Sequence, residues 1–135
     1  MMRLFLDANV LFTAAHNPEG KSAFIITLGD EGVWRLFTSA FAAEEARRNM
    51  RTKFPAALAP LDKLLGSVTI VSEQMDAPFP EGLPEKDRPI FQAAYACKAT
   101  HLLTGDIAHF GRFMIKPRRS IGIMIMTPAQ FLKSL

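Results

Sequence analysis

The side chains in this sequence best suited to chemistry are carboxylates, and they recur in similar surroundings. Asp7 interrupts the apolar opening "RLFLDANVLF" where a short buried run ends and a helical pattern begins. Asp106 closes "THLLTGD" in the same way, Asp87 opens the stretch leading into that run, and Glu44 and Glu45 stand side by side in "TSAFAAEEARRNM". Carboxylates held within a few ångströms of one another repel, and their pKa values rise. A divalent cation removes that conflict, and oxygen donors suit a hard ion such as Mg²⁺ or Mn²⁺. One or two such ions can activate a water and stabilise the charge building on a phosphate, which is the work of phosphodiester hydrolysis.

Convergence of residues so far apart requires a fold that brings strand ends together. Residues 3 to 6 read as a short buried strand, with further strands in "VWRLFTS" (33–39), "SVTIVS" (67–72), "THLLTG" (100–105) and "SIGIMIM" (120–126). Between them lie helical patterns over 8–15, 21–30, Ser39 to about Met50, 55–65 with a break at Pro60, 87–100 and 106–116. Thr127 and Pro128 open a closing helix as N-cap and first-turn proline. Residues 75–86, with three prolines and a glycine, form a loop. Short apolar runs alternating with helices predict a mainly parallel sheet of about five strands covered on both faces, an α/β fold in one domain over 1–135. Ligands of such sheets bind at the carboxyl ends of the strands, where Asp7 and Asp106 fall.

Each of these residues also has a plain structural use. Asp7, Asp87 and Asp106 all stand where an N-cap is wanted, and Asp is a preferred cap. Glu45 can pair with Arg47 or Arg48 on a helix surface. Asn9 can orient Asp7 or be a polar residue of a first turn; Thr104 can bond a carboxylate or close its turn. His109 can touch substrate or sit half-exposed on a helix, and Cys97 reads as a small buried residue beside Ala93 and Ala94. Caps and surface pairs account for the acids singly, but not for their recurrence at the ends of separate strands.

Composition narrows the class. The chain has 135 residues, 49% of them apolar and 21% charged, enough to bury a core without staples. A single cysteine excludes an intrachain disulfide, and no Cys/His cluster offers a zinc site; a reducing, cytoplasmic setting is expected. No apolar stretch approaches the roughly 20 residues of a spanning helix, and the N-terminus lacks the pattern of a secretory signal. The net charge is +3, gathered into two clusters: Arg47, Arg48, Arg51 and Lys53, and Arg112, Lys116, Arg118 and Arg119. Such patches suit a polyanion such as nucleic acid, or serve as basic ends of helices.

With these residues assembled, the sequence resembles the PIN-domain family of metal-dependent ribonucleases. The resemblance rests on "LFLDANVLF", "TSAFAAEEARRNM", "KDRPIFQAAYACKATHLLTGDIAHFG" and "TPAQFL", in the family's order and over nearly the whole chain. It implies a three-layer α/β/α sandwich with acids binding Mg²⁺ or Mn²⁺, as one or two ions, at the C-terminal edge of the sheet. Asp7, Asp87 and Asp106 match the family's first, third and fourth acids; the second is Glu45 or Glu44, with Glu45 aligning better. Asn9, Thr104 and the remaining Glu44 would support the metal ligands, and Arg47, Arg48, Arg112 and His109 would meet the RNA. Many chains of this size and fold are similar to VapC-like toxins, which cut RNA and are held inactive by an antitoxin; "KDRPIF" with "TGDIAHFG" looks closer to the subgroup of putative toxins. Small domains of this kind also often pair as homodimers.

The leading expectation is therefore a divalent-metal-dependent endoribonuclease, the toxin of a toxin–antitoxin pair. The alternative is a module of the same fold that binds nucleic acid or protein without catalysis. A phosphoacceptor domain is disfavoured because "VTIVS" ends in Ser72 where an aspartate is required. A haloacid-dehalogenase phosphatase would need Asp where Asn9 stands.

Overall fold

The computed structural model of the protein describes residues 1–135 and contains five strands and seven α-helices. In chain order they are β1 (Arg3–Leu6), α1 (Ala8–His16), α2 (Lys21–Asp30), β2 (Arg35–Ser39), α3 (Ala40–Lys53), α4 (Leu58–Leu65), β3 (Thr69–Val71), α5 (Arg88–Ala96), β4 (His101–Leu103), α6 (Ile107–Phe110), β5 (Met124–Met126) and α7 (Pro128–Lys133). All four strand pairings are parallel, in the order β3-β2-β1-β4-β5. β1 is central, with Phe5 opposite Phe37 on one side and Leu102 on the other. Leu4, Phe5 and Leu6 are fully buried, the continuous apolar run expected of a strand covered on both faces.

The order reverses direction at β1. The chain leaves β1 toward β2 and β3, then crosses back to place β4 and β5 on the other side. The crevice beyond the carboxyl ends of β1 and β4 is thus the topological switch point, the favoured ligand position of an open parallel sheet. α1 packs on α2, α3 and α4, while α5 packs against β2, giving a three-layer α/β/α sandwich.

Several elements are shorter than sequence pattern predicts, each for a local reason. The helix expected over 87–100 begins as a 3₁₀ turn at Glu85–Asp87 and ends at Ala96. Lys98 adopts φ 61°, and the amides of Lys98 and Ala99 donate to the carbonyls of Tyr95 and Ala94, the paired bonds of a Schellman ending. The helix expected over 106–116 is α6 followed by a 3₁₀ turn at Gly111–Phe113, because Phe113 and Met114 turn inward and Met114 pairs with Ile125. The strand expected from residue 120 starts only at Met124, since Ile121 and Gly122 both take positive φ in a tight turn.

The break expected at Pro60 lies earlier, before Leu58, and Pro60 occupies the first turn of α4, where its missing N–H has no helical partner to lose. β2 starts at Arg35 rather than residue 33 because Trp34 is drawn into the core, its indole N–H donating to the Ile25 carbonyl at 2.9 Å. β3 is likewise trimmed to three residues at the sheet margin, with Ile70 44% exposed. The opposite margin is closed, because Ile115 N–H donates to the Ile125 carbonyl outside β5.

Lys98 is exposed and holds a backbone conformation that costs an L-residue about 1 kcal/mol or more. Lys98→Gly should therefore raise stability by roughly 0.5 to 1 kcal/mol, the relief of strain being partly offset by a more flexible unfolded chain. Urea unfolding of the two proteins checks this; no gain would mean that Lys98 is unstrained.

Candidate metal centre

Asp7 is delivered by the end of β1 and is the N-cap of α1. Its Oδ1 accepts from the Ala8 N–H at 2.7 Å. Its Oδ2 accepts from the Thr104 hydroxyl at 2.8 Å and from the Asn9 amide at 3.3 Å. The buried Thr104 hydroxyl also receives the Asn9 amide at 3.2 Å and the Asp106 N–H at 3.0 Å, and the Asn9 side-chain oxygen receives the Gly105 N–H at 2.6 Å. A Cβ on Gly105 would stand 3.2 Å from that oxygen, so a bare backbone suits this close approach. Asp7, Asn9, Thr104 and Gly105 together tie the end of β1 to the end of β4.

The cost is borne by Asp7, which is only 6% exposed. Burial raises its pKa from 3.8 to about 6; the Thr104 and Ala8 bonds oppose the rise, and the charges of Glu45 and Asp106 add to it. Glu45 is half-buried on α3, whereas Glu44 is exposed. Of the two, it is Glu45 whose charge is felt at Asp7.

Asp87 and Asp106 meet around His109. The His109 Nδ1 lies 3.0 Å from Asp87 Oδ2 and 2.9 Å from Asp106 Oδ2. Asp106 caps α6 with its other oxygen, which accepts from the His109 N–H at 3.1 Å. Asp87 has no such duty: it precedes α5 but makes no side-chain cap bond. The capping explanation therefore holds for Asp7 and Asp106 and fails for Asp87. Burial holds the Asp87 carboxyl above its usual range; His109 opposes this and the charge of Asp106 reinforces it.

The loop before Asp87 is fastened from α5. The Gln92 amide donates to the carbonyls of Met75 and Ala77 at 3.0 and 2.8 Å, and the Arg88 guanidinium donates to the Leu83 carbonyl.

The residues present fit a cation. Asp87, Asp106 and His109 each offer a donor atom, all within 4.8 Å of one another. Asp87 Oδ2 and His109 Nδ1 are both buried and lie close together without the geometry of a well-formed hydrogen bond, so charge rather than hydrogen bonding relates them. A cation held by the same atoms would offset the repulsion between the two carboxylates. The group adds a ring nitrogen to the oxygen donors expected from sequence. Nitrogen suits Mn²⁺ better than Mg²⁺. Asp7, at the end of β1, and Glu45, on α3, are not part of this tightest group.

His109, expected at the substrate, lies between two of the acids. The signal was its i, i+3 spacing from Asp106, which places both on one helical face. Arg47 is committed elsewhere, its Nε bonded to Asp62 at 2.8 Å rather than to Glu45. Arg48 and Arg112 are exposed. Cys97 closes α5, with its thiol donating to the Ala94 carbonyl at 3.4 Å.

Comparison with known proteins gives a consistent picture. A sequence profile of the PIN domain matches residues 3–108. No curated protein matches the chain in sequence. Among solved structures, the fold is similar to VapBC2 from Rickettsia felis bound to a DNA fragment from its promoter, with a TM-score of 0.63, 15% identity, and coverage of 92% of this chain and 97% of that one. VapBC-1 from nontypeable Haemophilus influenzae is similar with a TM-score of 0.55 and 15% identity, over 95% and 99% of the two chains. No helix is long and apolar enough to cross a membrane.

The raised pKa of Asp7 has a stability consequence of definite sign. Below pH 3.8 Asp7 is protonated in both folded and unfolded chains, and above about 6 it is ionised in both. Between these values the folded state holds the extra proton, so stability falls as pH rises, by on the order of 3 kcal/mol in total. In EDTA, the stability of Asp7→Asn relative to wild type should therefore rise by about 3 kcal/mol between pH 4 and pH 8, on top of a pH-independent cost for the lost Thr104 and Asn9 bonds. Thermal melts of both proteins across that range check it; a difference that does not change with pH would contradict the cost assigned to Asp7.

Proposed function

Because the chain belongs to the PIN domain family, we propose that it is a divalent-metal-dependent endoribonuclease that hydrolyses RNA phosphodiester bonds. The observation that carries this reading is the meeting of Asp87, Asp106 and His109, whose donor atoms lie within 4.8 Å of one another beyond the end of β4. Asp87 and Asp106 would hold Mg²⁺ or Mn²⁺ directly, with His109 as a nitrogen donor. Asp7 would complete the site from β1, and Glu45 would hold a water or a second ion. When bound, the cation supplies a more acidic water and neutralises charge developing on the phosphate. Thr104 and Asn9 keep the Asp7 carboxylate in one orientation.

In this reading the chain is the toxin of a toxin–antitoxin pair, working in the cytoplasm and restrained by an antitoxin protein. Support comes from its fold, shared with chains of two VapBC structures over nearly their full length. Pairing as a homodimer is part of the same proposal. A purely binding role is the second reading, favoured by the cap bonds of Asp7 and Asp106, but it leaves Asp87 without a purpose.

Cleavage of a mixed structured RNA tests the proposal with wild type, Asp7→Asn and Asp87→Asn, each in Mg²⁺, Mn²⁺ and EDTA. Wild type should cut in metal and not in EDTA, and both variants should lose at least a hundredfold in rate while remaining folded. Mn²⁺ should also raise the melting temperature of wild type and do less for Asp87→Asn, since a ligand of the folded state stabilises it. RNA that is bound but never cut, with no metal effect on stability, would favour the binding reading.

A further inference from the structure

Three guanidiniums share one hollow of about 600 Å³. Arg112, Arg118 and Arg119 line it, together with Phe79, Glu81 and Gly82. None of the three arginines forms an ion pair, although Glu81 stands on the same wall. Like charges gathered without a carboxylate partner make a positive recess suited to an anion, and planar guanidiniums match phosphate oxygens best. Arg112 is seated by Gly82, where φ is +87° and a Cβ would stand 3.1 Å from its Nη1. The aromatic wall is Phe79, 39% exposed, with the Arg88 guanidinium 4.5 Å from its ring centroid.

The position of the hollow follows from the chain. One wall, residues 79–82, runs on through Leu83 and Pro84 to Asp87; the other begins at Arg112, three residues beyond His109. The same two segments that carry the acids therefore continue into the arginines. A basic recess joined to a partly exposed aromatic ring, one face of which is covered by Arg88, is a combination that holds unpaired nucleotides, since a base can reach a ring only when it is free of a duplex.

We propose that this hollow is a subsite for a single-stranded stretch of the RNA substrate, with phosphates on Arg112, Arg118 and Arg119 and a base against Phe79. The assignment rests on the ribonuclease reading and adds where, and in what form, the RNA is gripped.

The test uses fluorescence anisotropy of a labelled single-stranded RNA and of a duplex of matching length, in EDTA over a range of salt. Wild type, Arg118→Glu/Arg119→Glu and Phe79→Ala are compared, with melting curves to establish folding, and cleavage in Mn²⁺ is followed in parallel. The double arginine variant should bind single strands at least tenfold more weakly, and its slope of log affinity against log salt should shrink by about 1.4, or about 0.7 for each of two phosphates. Its KM should rise by more than its kcat falls. Phe79→Ala should weaken single-strand binding about fivefold or more with an unchanged slope, and leave duplex binding alone. Unchanged affinity and slope, in a wild type that does cleave RNA, would overturn the subsite and leave the nuclease standing. Equal losses on duplex and single strand would overturn the single-stranded assignment. A wild type that neither binds nor cleaves RNA would sink the ribonuclease reading, and the subsite with it.

Discussion

A carboxylate almost wholly removed from water lies at the carboxyl end of the central strand, and the surrounding structure is organised about it. Asp7 is held by an α1 amide, the Thr104 hydroxyl and the Asn9 amide, yet these bonds do not offset its desolvation, and its pKa stays near 6. The tie is also what closes the sheet at its switch point. Thr104 and Gly105 at the end of β4 reach Asp7 and Asn9 at the start of α1, so the ends of β1 and β4 cannot move apart without exposing the carboxylate. An arrangement that keeps a charge in an unfavourable place, bonded in one orientation, is characteristic of sites that await a ligand.

The acids divide their labour atom by atom. Asp7 and Asp106 each use Oδ1 to cap a helix, but their second oxygens differ: that of Asp7 is taken by Thr104 and Asn9, whereas that of Asp106 faces the His109 ring. Capping one helix thus leaves Asp106 an oxygen for a second partner. Asp87 is different, because the 3₁₀ turn at Glu85–Asp87 brings it in without asking it to cap α5. Its place depends instead on the loop before it, which Gln92 and Arg88 fasten from α5.

Much of this was legible in the sequence, and the parts that were not share a cause. The alternation of apolar runs and helical patterns specified a parallel sheet, and the aspartates after β1 and β4 marked its carboxyl edge. What pattern alone overestimated were the ends of elements, as at Lys98 and Ile121, where non-glycine residues adopt positive φ that no composition rule anticipates. Side-chain partners were also hidden. The pairing of Arg47 with Asp62 joins residues fifteen apart on two helices whose relative placement only packing determines. His109 could have been found from its spacing to Asp106, but its approach to Asp87 spans the sheet crossover and is a tertiary fact.

The margins of the sheet carry a consequence for assembly. β5 has its outer side taken by residues 114–115 of the same chain, so β3, three residues long, is the margin left open. Strand addition to this molecule can proceed at that side alone. Two copies joined there through a two-fold axis would use up both open margins, and no third copy could add. Growth by edge pairing is in this way self-terminating, and the sheet lacks the two-sided continuity on which a fibre depends.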